Sequence, residues 1–282
     1  MNNELEMQLP ENLEIYREKI EETIEPYLQI TLTESNKLDW WQSKFGGLPY
    51  LPKDYEYPKN SNGEYLYLIA QINFEQAPHL EGFPEEGILQ FYILADDTYG
   101  MKFGSTESVE SFREGILLNA QQDNFRVIYF PKINLSADEL ITDFSFLPTI
   151  EELDYLFPIE GCCAIDFTLQ LSPISITDYQ FSIFPTDSFS NPNYESLYDQ
   201  YYDDISHGGH QIGGYPNFTQ DDPRSLLEDD EDPYILLFQM DTDSNDSIDI
   251  MWGDCGICNF FIKKSALEKL DFSQVLYNWD CG

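Results

Sequence analysis

Basic side chains are scarce in this sequence. Its 282 residues include 14 Lys and Arg against 52 Asp and Glu, and the formal net charge is −38. Between Ile133 and Ile262 there are 26 acidic residues and one basic residue, Arg224. We expect such a chain to repel nucleic acid and anionic membranes, because every phosphate adds like-charge repulsion. We expect it to attract basic proteins, although a high negative charge also serves solubility by itself.

Histidine, cysteine and long apolar runs are scarce as well. Three His and five Cys allow few nucleophile–base pairs, and the sequence has no phosphate-binding glycine loop, nucleophile elbow or zinc-protease helix motif. No apolar stretch approaches the roughly 20 residues that span a bilayer, and residues 1–10 lack a signal-peptide pattern. We therefore expect a cytoplasmic protein with reduced thiols and without a cofactor. The scarcity of motifs favours a non-enzymatic role over an enzyme and leaves that choice open. A site built from carboxylates alone is left open, as is the oligomeric state.

One pattern occurs twice in the chain. Gly46-Gly47-Leu48-Pro49 precedes Gln71, and Gly213-Gly214-Tyr215-Pro216 precedes Gln239, with spacings that agree to one residue. A third matching segment follows each glutamine, GILQFYI at 87–93 and GICNFFI at 256–262. Three matches in the same order indicate an internal duplication, and the segments around both glutamines are rich in the residues that favour strands.

The patterns along the whole chain predict a mixed fold. Strands are expected at 27–33, 65–73, 87–94, 125–130, 162–171, 234–241 and 256–262, and helices at about 11–25 and 192–205. We predict the α+β class, with two related β-rich halves forming one domain (1–282) with peripheral helices. The pseudo-repeats are placed at about 40–135 and about 205–282.

The paired glycine turns suggest a site between the two repeats, since ligands often bind at such junctions. The candidate residues are Gln71, His210, Gln211, Gln239, Trp252 and Asp254. The two glutamines on the strands have a structural alternative, in which each amide hydrogen-bonds the turn of its own repeat. His210 has one too, in which its ring hydrogen-bonds the backbone of a glycine-bent loop.

Two segments resemble metal-binding motifs. Cys255 and Cys258 have the spacing of a zinc pair, but residues three apart on a strand point to opposite faces, and Cys258 aligns with the apolar Leu89. This favours a buried, inert Cys258 over a zinc or redox pair. The run from Asp241 to Asp249 begins like a calcium loop but lacks its glycine and its bidentate glutamate, which favours a polar hairpin turn. No metal is expected.

The repeated segments, together with His210-Gln211-Ile212-Gly213-Gly214 and Trp252-Gly253-Asp254-Cys255-Gly256, resemble the YwqG-like family of uncharacterised bacterial proteins. The resemblance extends from about residue 40 to the end of the sequence. It implies a cytoplasmic bacterial protein of α+β fold, and it carries no established activity and no catalytic residues. The occurrence of related proteins near secreted-toxin genes implies a role in toxin neutralisation.

Two functions are therefore predicted. The first is a non-enzymatic acidic binding protein for a basic protein partner, with toxin neutralisation as one form of that role. The alternative is a small-molecule binder or enzyme with its site in the cleft between the two repeats.

Overall fold

The computed structural model describes residues 7–34, 38–105, 107–153, 155–185, 192–227 and 231–282. Twelve strands lie in these ranges: β1 (Glu25–Thr33), β2 (Lys44–Gly46), β3 (Leu66–Asn73), β4 (Ile88–Leu94), β5 (Phe125–Phe130), β6 (Ile159–Ser172), β7 (His210–Gly213), β8 (Tyr234–Asp241), β9 (Asp243–Asn245), β10 (Ile248–Ile250), β11 (Ile257–Lys263) and β12 (Val275–Asp280). The α-helices are α1 (Arg17–Glu21), α2 (Val109–Leu118), α3 (Ile150–Leu153), α4 (Pro192–Asp204) and α5 (Lys264–Leu267). Short 3₁₀ turns lie at Glu14–Tyr16, Phe74–Gln76, Ala137–Glu139, Pro223–Leu226 and Phe272–Gln274.

The strands form one continuous antiparallel sheet in the order β12-β11-β8-β7-β1-β6-β2-β3-β4-β5. Its centre is the long pair of β1 and β6, which runs in register from Glu25 opposite Ser172 to Thr33 opposite Ala164. The hairpin of β9 and β10 pairs with the beginning of β6. The other strands of this order form two arms. One consists of β7, β8, β11 and β12, and the other of β2, β3, β4 and β5.

The sheet curls around an aromatic core, so that the two arms face each other. The Phe91 ring on β4 lies 4.6 Å from the Phe238 ring on β8 and 4.9 Å from the Phe260 ring on β11. At the two edge strands, the rings of Phe125 and Tyr277 lie 5.3 Å apart. Burying an aromatic side chain of this kind stabilises the fold by about 2 kcal/mol, and the arms are held together mainly by this shared core.

The predicted class, α+β with two related β-rich halves, is wrong. The protein is mostly β, because a single antiparallel sheet runs through both arms and the described helices are short. The two longest strands, β1 and β6, lie outside both proposed pseudo-repeats and join them at the centre of the sheet. The predicted single domain and pseudo-repeat bounds stay predictions.

The helix predicted at about 11–25 is also shorter in the structure. Its helical part comprises the 3₁₀ turn Glu14–Tyr16 and α1, and it ends at Glu21. The chain then enters β1 at Glu25, because pairing with β6 replaces further helix. No helix within the described ranges is long and apolar enough to cross a membrane.

The outer face of the sheet is covered on the two arms and open at the centre. Over β3, β4 and β5 it carries a second apolar cluster that includes Tyr50, Tyr92 and Phe144. Over β8, β11 and β12 it carries a smaller one around Phe218 and Phe261. Between them, four outward side chains of β1 and β6 are polar and exposed: Thr31, Asp166, Thr168 and Gln170. These four residues form an open polar strip, called the outer strip below.

Candidate functional site

The amide of Gln71 anchors the loop of the first arm. This side chain is fully buried on β3. Its Oε1 accepts a hydrogen bond from the backbone N–H of Tyr50 at 2.7 Å, and its Nε2 donates to the carbonyl oxygens of Trp40 and Gln42, both at 2.8 Å. Gln90 on the neighbouring strand donates to the Tyr50 carbonyl at 2.7 Å. We call Gln71, Gln90 and Tyr50 the first amide site.

The amide of Gln239 anchors the corresponding loop in the second arm. Its Oε1 accepts from the backbone N–H of Asn217, and its Nε2 donates to the carbonyl oxygen of Gly209, both at 2.7 Å. Asn259 on the neighbouring strand donates to the Asn217 carbonyl at 3.0 Å. We call Gln239, Asn259 and Asn217 the second amide site. In both sites the glutamine hydrogen-bonds the backbone, as the structural alternative for these residues describes.

The backbone before each anchored loop has a conformation that requires glycine. Gly46 and Gly47 have φ of +64° and +70°, and Gly213 and Gly214 have +69° and +66°. A Cβ on Gly46 would lie 2.5 Å from the carbonyl oxygen of Gly161, which is closer than real Cβ contacts allow. Glycine tolerates both the left-handed backbone and the close approach. The two turns therefore hold the loops against the outer face.

Gln211 lies beside the second amide site. It lies opposite Gln239 on β8 and opposite Gln29 on β1. Its Nε2 donates to the carbonyl oxygens of Gly213 at 3.0 Å and Tyr215 at 2.9 Å. Both amide hydrogens are used to fix the turn, so Gln211 also holds the loop.

Lys44 occupies the matching position in the first arm, opposite Gln71 on β3. It is 3% exposed, and no hydrogen bond or ion pair of its ammonium group is found among the described residues. Burial lowers the pKa of Lys44 to about 8, because the charged amine is poorly hydrated there. The sequence analysis missed this residue. Its position two residues before a glycine pair, as for Gln211, could have revealed it.

His210 points to the core side of the sheet. Its Nδ1 accepts a hydrogen bond from the backbone N–H of Asp241 at 3.0 Å, and its ring meets the Phe45 ring edge-on at 4.9 Å. Its Nε2 lies 3.4 Å from Asp243 Oδ2. This distance is too long for a strong hydrogen bond, yet the imidazole lowers the pKa of the Asp243 carboxyl. With Nδ1 occupied by a backbone donor, the ring is positioned as a structural group.

The remaining candidates lie apart from the amide sites. Trp252 is fully buried in the core, where its ring lies 5.7 Å from that of Tyr99. Asp254 is exposed in the loop before β11. Of the six predicted site residues, the structure thus places Gln71, Gln211 and Gln239 on the outer face, two in the core, and Asp254 in a loop.

Cys255 and Cys258, the predicted zinc pair, differ in their exposure. Cys258 is fully enclosed on β11, and burial raises its pKa well above the usual range of a thiol. Cys255 is exposed, with a left-handed φ of +56°. Within the residues that the structure describes, no group of three or more His, Cys, Asp or Glu side chains could hold a metal ion.

A comparison with family models gives a match over most of the chain. A family model described as "Domain of unknown function (DUF1963)" matches residues 43–281. No curated protein matches the chain. The match runs from β2 to β12 and includes both amide sites.

Proposed function

The chain belongs to the DUF1963 family, whose description assigns no activity, and on that premise we propose that it is a non-enzymatic binding protein whose acidic face docks a basic protein partner. The observation that carries the proposal is the charge between Ile133 and Ile262, where 26 acidic residues accompany one basic residue. A cytoplasmic location, membership of the narrower YwqG-like group and neutralisation of a basic toxin belong to the same proposal.

Arg224, the one basic residue in this tract, is withdrawn from the surface. It is 6% exposed, and its Nη2 lies 2.7 Å from Asp178 Oδ2 and 2.6 Å from Asp222 Oδ2. The guanidinium also lies over the rings of Tyr179 and Phe261, at 5.0 and 4.8 Å. Arg224 therefore compensates two buried carboxylates, and the exposed acids of the tract gain nothing from it.

Four exposed acids of the tract lie at the hairpin of β9 and β10. Asp249 lies directly opposite Glu160 of β6, and both side chains are exposed, as are Asp243 and Asp246. We call these four residues the acidic hairpin. Like charges that face each other across two strands are destabilising. A cationic partner would relieve this repulsion, so we place the docking surface here.

The charge also predicts how the partner binds. Complementary potentials steer the encounter and raise its rate, and salt screens that effect over a Debye length of about 10 Å at 0.1 M. Binding should therefore be strongest at low salt and should retain, at physiological salt, the part that depends on direct contact with the hairpin.

Affinity capture from a lysate of producing cells tests this proposal, with bound proteins identified by mass spectrometry at low and at physiological salt. The hairpin variant is Glu160→Gln with Asp246→Asn and Asp249→Asn. The matched control removes three exposed acids elsewhere: Glu18→Gln, Glu22→Gln and Asp54→Asn. We expect a basic protein to be held by the natural chain and by the control and lost by the hairpin variant. Capture of no protein at either salt, or equal capture by both variants, would overturn the proposal.

A second candidate is a small-molecule site on the outer face. The buried Lys44, which lacks a charged partner among the described residues, is the observation that favours it.

A further inference from the structure

Lys44 has an unusual place for a charged side chain. On β2 it lies between Ala164 of β6 and Gln71 of β3, at the border of the outer strip. Burying an ammonium group costs several kcal/mol unless a carboxylate or several acceptors surround it. In the described part of the chain, its amine forms no ion pair and no hydrogen bond. Among the described residues, no interaction of the amine offsets the cost of burying it.

The corresponding position in the second arm shows what a structural residue does there. Gln211 donates both amide hydrogens to the carbonyl oxygens of Gly213 and Tyr215. Lys44 makes no such bond to the turn at Gly46 and Gly47, although the glycines of the two turns have similar positive φ angles. Holding the loop is therefore not the task of the amine.

The amine remains reachable from solvent. The fully enclosed side-chain polar atoms that lack a hydrogen bond in the described residues are His210 Nε2, Trp252 Nε1, Asn259 Oδ1 and Asp280 Oδ1. Lys44 Nζ is not one of them, so the tip of the side chain touches solvent while its stem is buried.

A thiol and two carboxylates are the titratable groups nearby. Cys162 lies diagonally across β6 from Lys44, and a Cβ on Gly47 would be 3.4 Å from its Sγ. Cys162 and the carboxylate of Asp39 work against the burial that lowers the pKa of Lys44, because negative charge favours the ammonium form. Asp166, two residues from Ala164, accepts a hydrogen bond from the Thr33 hydroxyl at 3.2 Å. None of these groups holds the amine within ion-pair distance.

We propose that Lys44 is a nucleophilic amine that captures a small uncharged aldehyde as an imine at the edge of the outer strip. The nitrogen lone pair of the neutral amine forms a bond to the carbonyl carbon, and the carbonyl oxygen takes a proton. The resulting carbinolamine loses that oxygen as water, so that one amine and one aldehyde give one imine and one water. Lysines in poorly hydrated surroundings are suited to this chemistry. This inference is independent of the basic partner.

The charge of the protein selects the ligand class. An anion would have to approach a chain of net charge −38, which opposes its binding. An uncharged carbonyl compound meets no such barrier. The lowered pKa of Lys44 also provides neutral amine near neutral pH, which is needed for addition to a carbonyl and of no use for binding an anion.

Reductive trapping tests the proposal. The full chain is incubated with propionaldehyde and cyanoborohydride at several pH values, and labelling of each lysine is followed by peptide mass spectrometry. Exposed Lys132 and Lys269 serve as internal references. At pH 7.5 the neutral fraction of Lys44 is about 200 times that of an ordinary lysine. Because burial slows the approach of the aldehyde, we expect Lys44 to be labelled at least about tenfold faster than the references. Its rate should level off near pH 8.

Three variants separate the outcomes. Lys44→Arg keeps the charge and Lys44→Gln introduces the residue type of the second arm, and both should lose the fast label while thermal unfolding shows that they fold. Cys162→Ala should keep the label on Lys44. Labelling of Lys44 at the rate of the references would overturn the proposal. So would its loss in Cys162→Ala, which assigns capture to the thiol, or its suppression by inorganic phosphate, which indicates an anion site. Partner capture by the acidic hairpin is read separately and is unaffected by any of these results.

Discussion

The two amide sites perform one task with different residues. Gln71 and Gln239 each accept a hydrogen bond from a backbone N–H that follows a glycine pair, and each donates to a carbonyl oxygen that precedes it. The strand position beside each glutamine differs, because Gln211 bonds its own turn and Lys44 does not. Both arms therefore need the glutamine that holds the loop. The neighbouring position, Lys44 in one arm and Gln211 in the other, differs in its residue and in its contacts.

The sites also differ in how completely their polar atoms are paired. Gln90 donates to Gln71 at 2.8 Å, and its Oε1 accepts from the Tyr92 hydroxyl at 2.8 Å. In the second site, Asn259 Oδ1 is enclosed and has no hydrogen bond within the described residues. An unpaired buried acceptor costs about 1–3 kcal/mol. The first site is thus the more tightly connected of the two.

Replacing Gln71 or Gln239 by alanine should lower the stability more than any other change considered for the two sites. Gln71→Ala leaves one buried N–H and two carbonyl groups of the loop unpaired, whereas Gln239→Ala leaves one of each. We expect losses in the free energy of unfolding of about 4 and about 3 kcal/mol respectively. Urea unfolding measures both. A larger loss in the free energy of unfolding for Gln239→Ala would contradict the conclusion that the first amide site is the more tightly connected.

Alanine at the glycine turns should have the next largest effect. At Gly46 the new Cβ would lie 2.5 Å from a backbone oxygen, whereas at Gly214 it would lie 2.8 Å from Tyr27 Cβ. With the left-handed backbone included, we expect Gly46→Ala to cost about 3 kcal/mol and Gly214→Ala about 2 kcal/mol. Gly63, with φ of +82° and open space around it, is the control and should lose about 1 kcal/mol. Equal losses at all three positions would show that the close approach has no role.

Replacing Lys44 by glutamine, the residue type at the matching position of the second arm, should change how stability depends on pH. Because the pKa of Lys44 is about 8 in the folded state and near 10.4 in an unfolded chain, the unfolded state binds more protons between these values. The stability of the natural chain should therefore rise with pH from about 8 to about 10.4 relative to Lys44→Gln. Below pH 8, Lys44→Gln should be the more stable by about 2 kcal/mol, a figure reduced because the amine touches solvent.

The reciprocal variant serves as the check on that prediction. Gln211→Lys removes two hydrogen bonds and buries an amine, so it should lower the free energy of unfolding at pH 7. Denaturant curves of both variants at pH 7 and pH 10 provide the measurement. A Lys44→Gln variant whose advantage does not shrink with rising pH would refute the assigned protonation behaviour.

The smallest effect concerns charge in the second arm. Glu160→Gln removes one of two carboxylates that face each other across β6 and β10. We expect a gain of about 0.5 kcal/mol at low salt that fades at high salt. Glu18→Gln, on α1, is the matched control and should change little. A gain that persists in 1 M salt would point to a cause other than like-charge repulsion.

The sequence allowed individual strands to be predicted, but it did not show which strands pair with each other. Residues 125–130 and 234–241 have strand composition and form strands with these bounds. The class was wrong because β1 and β6 pair across more than a hundred residues, and alternation of side chains identifies a strand without naming its partner. Lys44 was missed for a related reason, since lysine is rarely buried and its environment is set by neighbours distant in sequence.

The central position of β1 has a consequence for the order in which the chain can fold during synthesis. This strand leaves the ribosome before its two neighbours, β6 and β7, which end at Ser172 and Gly213. Until they emerge, both hydrogen-bonding edges of β1 are open, and such edges invite association between nascent chains. Cotranslational collapse should therefore wait for the later strands, and ribosome-bound chains that stop before residue 172 should be those that recruit chaperones.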